Sequence, residues 1–259
     1  MTRPRVAVVK LASCDGCQLQ LLDAEEALLQ LADAIEIANF PEASSNMQPG
    51  PYDVTLVEGS VTTPETIEQI KEVRSGSTYL VTIGACATSG GVQALRNGRE
   101  LAEVVREVYA DPEYIDSLET STPVSDHVKV DLEVTGCPID RDELLGVISQ
   151  LLQGSIPRLP TAPVCLECKR RGYTCVLVAD GQPCLGPVTR TGCGAICPAF
   201  GRGCYGCFGP SQPPNTAALA ERFLELGNST AQVRDLFRFI TGWAPEFAEE
   251  AKRQEEVTR

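Results

Sequence analysis

Twelve cysteines among 259 residues are the part of this sequence that can do chemistry, and they fall into three sets of four. Cys14 and Cys17 stand in "SCDGC", Cys86 in "GACATSGG" and Cys137 in "TGCP". Cys165, Cys168, Cys175 and Cys184 follow as C-x2-C-x6-C-x8-C, then Cys193, Cys197, Cys204 and Cys207 as C-x3-C-x6-C-x2-C. Four thiolates complete the coordination shell of a zinc ion or of an iron–sulfur cluster. Buried structural thiols account for one or two cysteines, not for three sets, and disulfides are disfavoured in a reducing compartment. Zinc suits the C-x2-C pairs but fits the first set less well, because structural zinc knits a short local segment. Pro138, Pro187 and Pro198 lie just beyond cysteines, as proline does in ferredoxin-type cluster motifs, although the compact ferredoxin run itself is missing. Iron–sulfur clusters fit all three sets, and zinc stays open on spacing alone.

The elements that must position the first set read as alternating strands and helices over residues 1–155. "RVAVVKLAS", "DVTLVEG", "TYLVTIG" and "VKVDLEVTG" are apolar or β-branched runs suited to strands, with "IEIANF" a shorter one. Between them "QLQLLDAEEALLQLADAI", "TPETIEQIKEVRSG", "GRELAEVVREVYA" and "DRDELLGVISQLLQG" have helical spacing. This predicts an α/β domain with a mostly parallel sheet. Cys14 and Cys17, Cys86, and Cys137 each directly follow a strand, so a parallel sheet brings them to one edge, the carboxyl ends where open α/β sheets bind ligands. Glycines flank them, allowing close backbone approach, and a helix starting near Cys17 favours thiolates at its positive end. Glu58 ends a strand on the same edge; a proton relay, a partner contact and a plain polar strand end all suit it.

Residues 156–259 have a different character. "SIPRLPTAP" is expected to be a linker, and the following stretch to 210 is Cys-, Gly- and Pro-rich with only "TCVLVAD" strand-like. "TAALAERFLELG" and "AQVRDLFRFITG" are expected to be amphipathic helices, and "FAEEAKRQEEVTR" a frayed charged tail.

With 22 Lys and Arg against 35 Asp and Glu, the formal charge is −13. That argues against nucleic acid and anionic membranes as partners on electrostatic grounds. The N-terminal apolar run is short and ends in cysteines, unlike a secretion signal, and no run reaches the roughly 18 apolar residues of a membrane span. A cytoplasmic protein without direct membrane insertion is expected. His127, the only histidine, is expected to be solvated, and no nucleophile–base pair for hydrolysis is recognisable. "GACATSGG" lacks the Lys-Ser/Thr end of a phosphate-binding loop.

The ordered string "SCDGC", "VEGSV", "GACATSGG", "TGCP", "VCLECKRRGYTC", "CLGPVTRTGCGAICP" and "GCYGCFGP" resembles the small, electron-transferring subunit of soluble cytoplasmic nickel–iron hydrogenases over nearly the whole chain. "SCDGC" and "TGCP" alone are shared with subunits of respiratory complex I. The resemblance implies a flavodoxin-like first domain holding a proximal 4Fe-4S cluster on Cys14, Cys17, Cys86 and Cys137, with Glu58 the acidic residue near it. It implies a distal cluster on Cys165, Cys168, Cys175 and Cys184, with Cys165 where membrane-linked relatives have histidine. A medial cluster falls on Cys193, Cys197, Cys204 and Cys207, with Cys197 where many relatives have a proline and a 3Fe-4S cluster. It further implies that the C-terminal domain is folded around its clusters. The hydrogen-splitting nickel–iron centre belongs to a partner large subunit. An acceptor-side iron–sulfur or flavin subunit receives the electrons, with an NAD(P)-linked diaphorase favoured and deazaflavin, heterodisulfide reductase and ferredoxin left open as acceptors. The alternatives are an electron-transfer subunit of a complex-I-like assembly and a zinc-stabilised scaffold.

Overall fold

The computed structural model describes residues 3–257; the first two positions of the N-terminal stretch and the last two of the charged tail lie outside the described residues. The chain divides into two compact units, Met1–Arg158 and Leu159–Arg259.

In the first unit, β1 (Arg5–Lys10), β2 (Glu36–Asn39), β3 (Tyr52–Glu58), β4 (Ser77–Ile83) and β5 (Leu132–Val134) form one wholly parallel sheet. Its order is β2-β1-β3-β4-β5, the flavodoxin-like arrangement. The β-branched runs of β1 and β3 are buried over Val6–Val9 and Val54–Glu58, as strands covered on both faces must be. Helices α1 (Gly16–Leu22), α2 (Glu26–Ala34), α3 (Pro64–Ser75), α4 (Gly84–Ser89), α5 (Leu101–Val108) and α6 (Arg141–Leu152) make the connections. Thr63 caps α3 reciprocally with Thr66, and Pro64 fills its first turn. Asp140 accepts the Glu143 N–H at the start of α6.

The first unit departs from two local expectations. The stretch read as one helix after Cys17 is two, because Glu25 sits at φ 45° and breaks the run. α1 buries Cys17, Gln18 and Leu21, whereas α2 buries none of its residues. β5 is three residues long rather than the full apolar run, because the Asp131 carboxylate takes the Leu80 N–H at 2.9 Å in place of a backbone acceptor. Arg74 holds that carboxylate at 2.6 Å.

The second unit is helical: α7 (Cys165–Arg171), α8 (Val176–Ala179), α9 (Ile196–Ala199), α10 (Thr216–Glu225), α11 (Thr230–Phe237) and α12 (Pro245–Val257). "TCVLVAD" forms the single turn α8, not a strand. Adjacent Val176 and Leu177 are buried and Val178 is exposed, the pattern of a turn rather than of alternation. The charged tail is helical rather than frayed through Val257: α12 buries Phe247, Glu250, Ala251 and Gln254. Phe237 meets Phe247 edge-on at 5.7 Å and Phe223 at 6.5 Å. With Val164, Val176, Leu185 and Leu219 these rings form a core of the unit's own, larger than the cysteine-rich composition suggests. Asn215 and Ser229 cap α10 and α11.

Candidate metal centres

The topology converts three distant segments into one neighbourhood. The loops after β1, β4 and β5 leave the same sheet edge and carry Cys14 and Cys17, Cys86, and Cys137. β3 lies between β1 and β4, so Glu58 at its end stands among those loops. The chain reverses its direction of growth between β1 and β3, which is where open sheets of this order leave a crevice.

Hydrogen bonds fix each loop. Asp15, in a left-handed conformation at φ 66°, takes Lys10 Nζ at 2.6 Å and the Ser13 hydroxyl at 3.1 Å, shaping the turn between Cys14 and Cys17. Glu58 is 2% exposed. Its carboxylate accepts the Cys17 backbone N–H at 3.0 Å and Gln18 Nε2 at 2.8 Å. Gln93 donates to the Ala12 carbonyl at 2.7 Å and accepts from Cys86 Sγ at 3.4 Å, tying the β4 loop to the β1 loop. Ala85 N–H bonds the Gly136 carbonyl at 2.7 Å, joining the Cys86 and Cys137 segments. A methyl group on Gly84 would collide with Cys17 Sγ, and one on Gly91 would lie 2.6 Å from Cys86 Sγ. These glycines form a cradle with no room for a side chain.

The ionisation of these thiols carries the same message. Burial pushes Cys86 up to about 11, with the neighbouring Cys137 and Cys14 adding to the shift. Burial raises Cys17 and Cys137 as well, and repulsion from Glu58 and the neighbouring thiols adds to it. Glu58 is raised by burial against the opposing hydrogen bonds from Gln18 and Cys17. Neighbouring buried thiols cannot all ionise without a cationic centre among them, and ligation to iron supplies one. The donor set and the cradle fit such a group.

In the second unit Cys165 and Cys168 lie one turn apart on α7, Cys175 precedes α8, and Cys184 is buried. These four thiols line one cavity of about 80 Å³ with Gly186, Pro187 and Pro198. A Cβ on Gly186 would be 3.3 Å from Cys184 Sγ and 3.8 Å from Cys165 Sγ. Burial pushes Cys165 up to about 11, followed by Cys184, Cys168 and Cys175. In the third set burial raises Cys193 and Cys204; Cys193 also feels Glu167 and Cys197, and Cys204 feels Cys184 of the second set before Cys207. The two sets also meet, since Cys204 N–H donates to Cys184 Sγ at 3.2 Å. Among the described residues, no three of His, Cys, Asp or Glu gather tightly enough for a single metal ion; the second set surrounds a space instead.

Three site residues were not singled out from the sequence. Gln18 and Gln93 are ordinary helix and loop amides until β1, β3 and β4 bring them to Glu58 and Cys86. Glu167 stands between Cys165 and Cys168, and its carboxylate accepts the Gly192 and Ala195 N–H groups, each at 3.1 Å. It thereby braces the segment carrying Cys193 against α7; its position inside C-L-E-C was the available signal. His127 is half-buried rather than solvated, hydrogen-bonded to Thr122 Oγ1 at 2.7 Å.

A flavodoxin-like unit with thiols at its strand ends, followed by a thiol-bearing helical unit, is the architecture of nickel–iron hydrogenase small subunits. The comparisons agree with that class. Residues 14–151 match the family model described as "NADH ubiquinone oxidoreductase, 20 Kd subunit". Sulfhydrogenase 2 subunit delta of Pyrococcus furiosus is 40% identical over 86% of this chain and 93% of its own. NAD-reducing hydrogenase HoxS subunit delta of Cupriavidus necator is 31% identical over 61% of this chain and 83% of its own. Among solved structures, an NAD+-reducing NiFe-hydrogenase in the H2-reduced state matches with a TM-score of 0.57 and 30% identity, over 61% of this chain and 96% of that one. The chain belongs to the 20 Kd subunit family of NADH ubiquinone oxidoreductase, among its hydrogenase small and delta subunits. Among the described residues, no helix is long and apolar enough to cross a membrane.

Proposed function

We propose that this chain is the electron-relay subunit of a cytoplasmic nickel–iron hydrogenase and holds three 4Fe-4S clusters. Cys14, Cys17, Cys86 and Cys137 hold the proximal cluster in a domain spanning residues 1–155. In the domain spanning residues 156–259, Cys193, Cys197, Cys204 and Cys207 hold the medial cluster, and Cys165, Cys168, Cys175 and Cys184 the distal one. The observation that carries this reading is the single cavity lined by all four thiols of the second set. It is supported by the first set, whose thiols share one sheet edge and raise one another's pKa. A bound 4Fe-4S cluster supplies one-electron exchange.

The chain's own residues shape those sites. Glu58 holds the Cys17 backbone and Gln18, fixing the loop that presents two thiols. Gln93 anchors the β1 loop through the Ala12 carbonyl and sets its amide oxygen beside Cys86, and polar groups next to a ligand sulfur tune a cluster's potential. Glu167 keeps the second and third sets in register through two backbone N–H groups. The hydrogen-activating nickel–iron centre is assigned to a large-subunit partner, which delivers electrons to the proximal set. An acceptor-side iron–sulfur or flavin subunit takes them from the distal set, and the similarity to NAD-reducing hydrogenases favours an NAD(P)-linked diaphorase.

The test is anaerobic co-purification with the large subunit, followed by metal analysis and EPR. About twelve irons per chain without stoichiometric zinc, and EPR signals that appear under H2, are expected. About three zincs and little iron would leave a scaffold and refute the relay.

A further inference from the structure

One carboxylate joins the second thiol set to the third. Glu167 lies on α7 between Cys165 and Cys168, and its side chain reaches the segment that carries Cys193. One oxygen accepts the Gly192 N–H and the other the Ala195 N–H, each at 3.1 Å. The receiving backbone is shaped for an anion. Gly192 has φ 139°, Gly194 φ 66° and Ala195 φ 55°, a mostly left-handed stretch that turns its N–H groups toward one point. Left-handed backbone is unfavourable for alanine, yet Ala195 is fully buried in the second core. Strain held in a packed core, with its N–H aimed at a charged group, points to a use for that charge.

The charge is not neutralised where it stands. Among the described residues, the hydrogen bonds of Glu167 come from backbone N–H groups rather than from Lys or Arg. The guanidinium of Arg171 is hydrogen-bonded to Tyr173 and lies over Gly194, where an added Cβ would be 2.9 Å from Nη2. Arg171 is exposed, so water and salt screen it, whereas Glu167 is half-buried. The thiols register the difference. Burial raises Cys193, and Glu167 adds to it; Cys168 is raised by burial, then by the neighbouring thiols and by Glu167. Each set thus has a member in the field of the same carboxylate.

We infer that Glu167 is a positioning residue whose negative charge holds down the reduction potentials of both the second and the third set's clusters. The inference rests on the relay reading and adds to it the group that keeps the two sets matched. A fixed negative charge opposes the arrival of an electron, and one carboxylate shared by two sets opposes it at both. Bracing the Cys193 segment needs two acceptor oxygens but no charge, so the two roles are separable. Glu167→Gln removes the charge and keeps one acceptor oxygen. Glu167→Asp keeps the charge and shortens the reach.

The experiment uses the full chain, purified anaerobically with the partner chains that accompany it and with its iron counted. One-electron midpoints are read by EPR during a dithionite titration with dye mediators. A unit charge within about 10 Å, at an effective permittivity of about 20, changes an equilibrium about tenfold. For one electron that is about 59 mV. In Glu167→Gln two midpoints are expected to rise by about that much, with iron content unchanged. Glu167→Asp is expected to leave both near wild type while hydrogen exchange at Gly192 and Ala195 accelerates. Glu256→Gln, which removes an exposed charge from α12, is expected to move neither. Unchanged midpoints in Glu167→Gln overturn the inference, as does a rise confined to one of them. Equal shifts in Glu167→Gln and Glu167→Asp reduce the effect to bracing, and equal shifts in Glu167→Gln and Glu256→Gln reduce it to net charge; either overturns it. Iron lost from Glu167→Gln makes the carboxylate a requirement of the fold and overturns it as well. All of these results leave the relay standing. A wild-type chain with zinc in place of iron, and so with no midpoint to read, removes the relay reading and this inference with it.

Discussion

Replacing Gly84 with alanine tests whether the first thiol set depends on backbone approach. Gly84 has φ +84°, and an added Cβ collides with Cys17 Sγ while facing the Gly136 carbonyl at 3.5 Å. The left-handed conformation costs an alanine about 1–2 kcal/mol. Forcing a methyl against the buried thiol adds about 1–3 kcal/mol of overpacking. Gly154 is the control: its φ is +74°, but a Cβ there meets nothing within 4 Å. At Gly154 only the strain remains, offset by about 0.4–1 kcal/mol from a less flexible unfolded chain. Gly84→Ala is therefore expected to destabilise by about 3 kcal/mol and Gly154→Ala by about 1 kcal/mol or less. At about 2–4 °C per kcal/mol for a unit of this size, Gly84→Ala lowers the melting midpoint by about 6–12 °C. The assay is anaerobic thermal denaturation of both variants followed by circular dichroism, with iron counted per chain. Gly84→Ala is also expected to lose about a third of its iron, the share of one cluster in three, with Gly154→Ala keeping all of it. Coincident melting curves with equal iron would refute the close-approach argument.

Glu58→Ala strips the acceptor from two buried donors, the Cys17 N–H and the Gln18 amide, and should cost about 2–5 kcal/mol in denaturant unfolding; Glu58→Gln, which keeps one acceptor oxygen, should cost less. Glu167→Ala frees the Gly192 and Ala195 N–H groups, and their hydrogen exchange should accelerate at least about tenfold if the carboxylate braces that segment. Burial pushes Asp131 up, but the Leu80 N–H and Arg74 outweigh it and hold the carboxyl below its ordinary range. Its stabilisation is therefore present above the ordinary Asp pKa and lost as pH falls through the lowered one, so the stability gap between wild type and Arg74→Met should close on acidification below about pH 4. Phe247→Ala should cost about 3–5 kcal/mol, measured by thermal denaturation, because the ring packs on Phe237 at the centre of the second core.

The sequence by itself determined the three sets of thiols, the parallel α/β order of the first unit and the strand ends from which four cysteines emerge. That follows because strand periodicity, helix caps and the common polarity of parallel strands are all local or nearly local. Thr63–Pro64 and Ser229 with Gln232 announce their helices in a few residues. Only the tertiary structure decided that Gln18 and Gln93 belong to the first set, since their partners Glu58 and Ala12 are separated from them by 40 and 81 positions. It decided that "TCVLVAD" turns rather than extends, because Val176 and Leu177 are both drawn under the same thiol cavity. It ordered the charged tail, whose few apolar positions at Phe247 and Ala251 outweigh its surface charge once Phe237 is there to receive them. The neighbourhood of Cys184 and Cys204 is likewise a product of packing: spacing assigns each thiol to a set, and only folding brings two sets within one hydrogen bond.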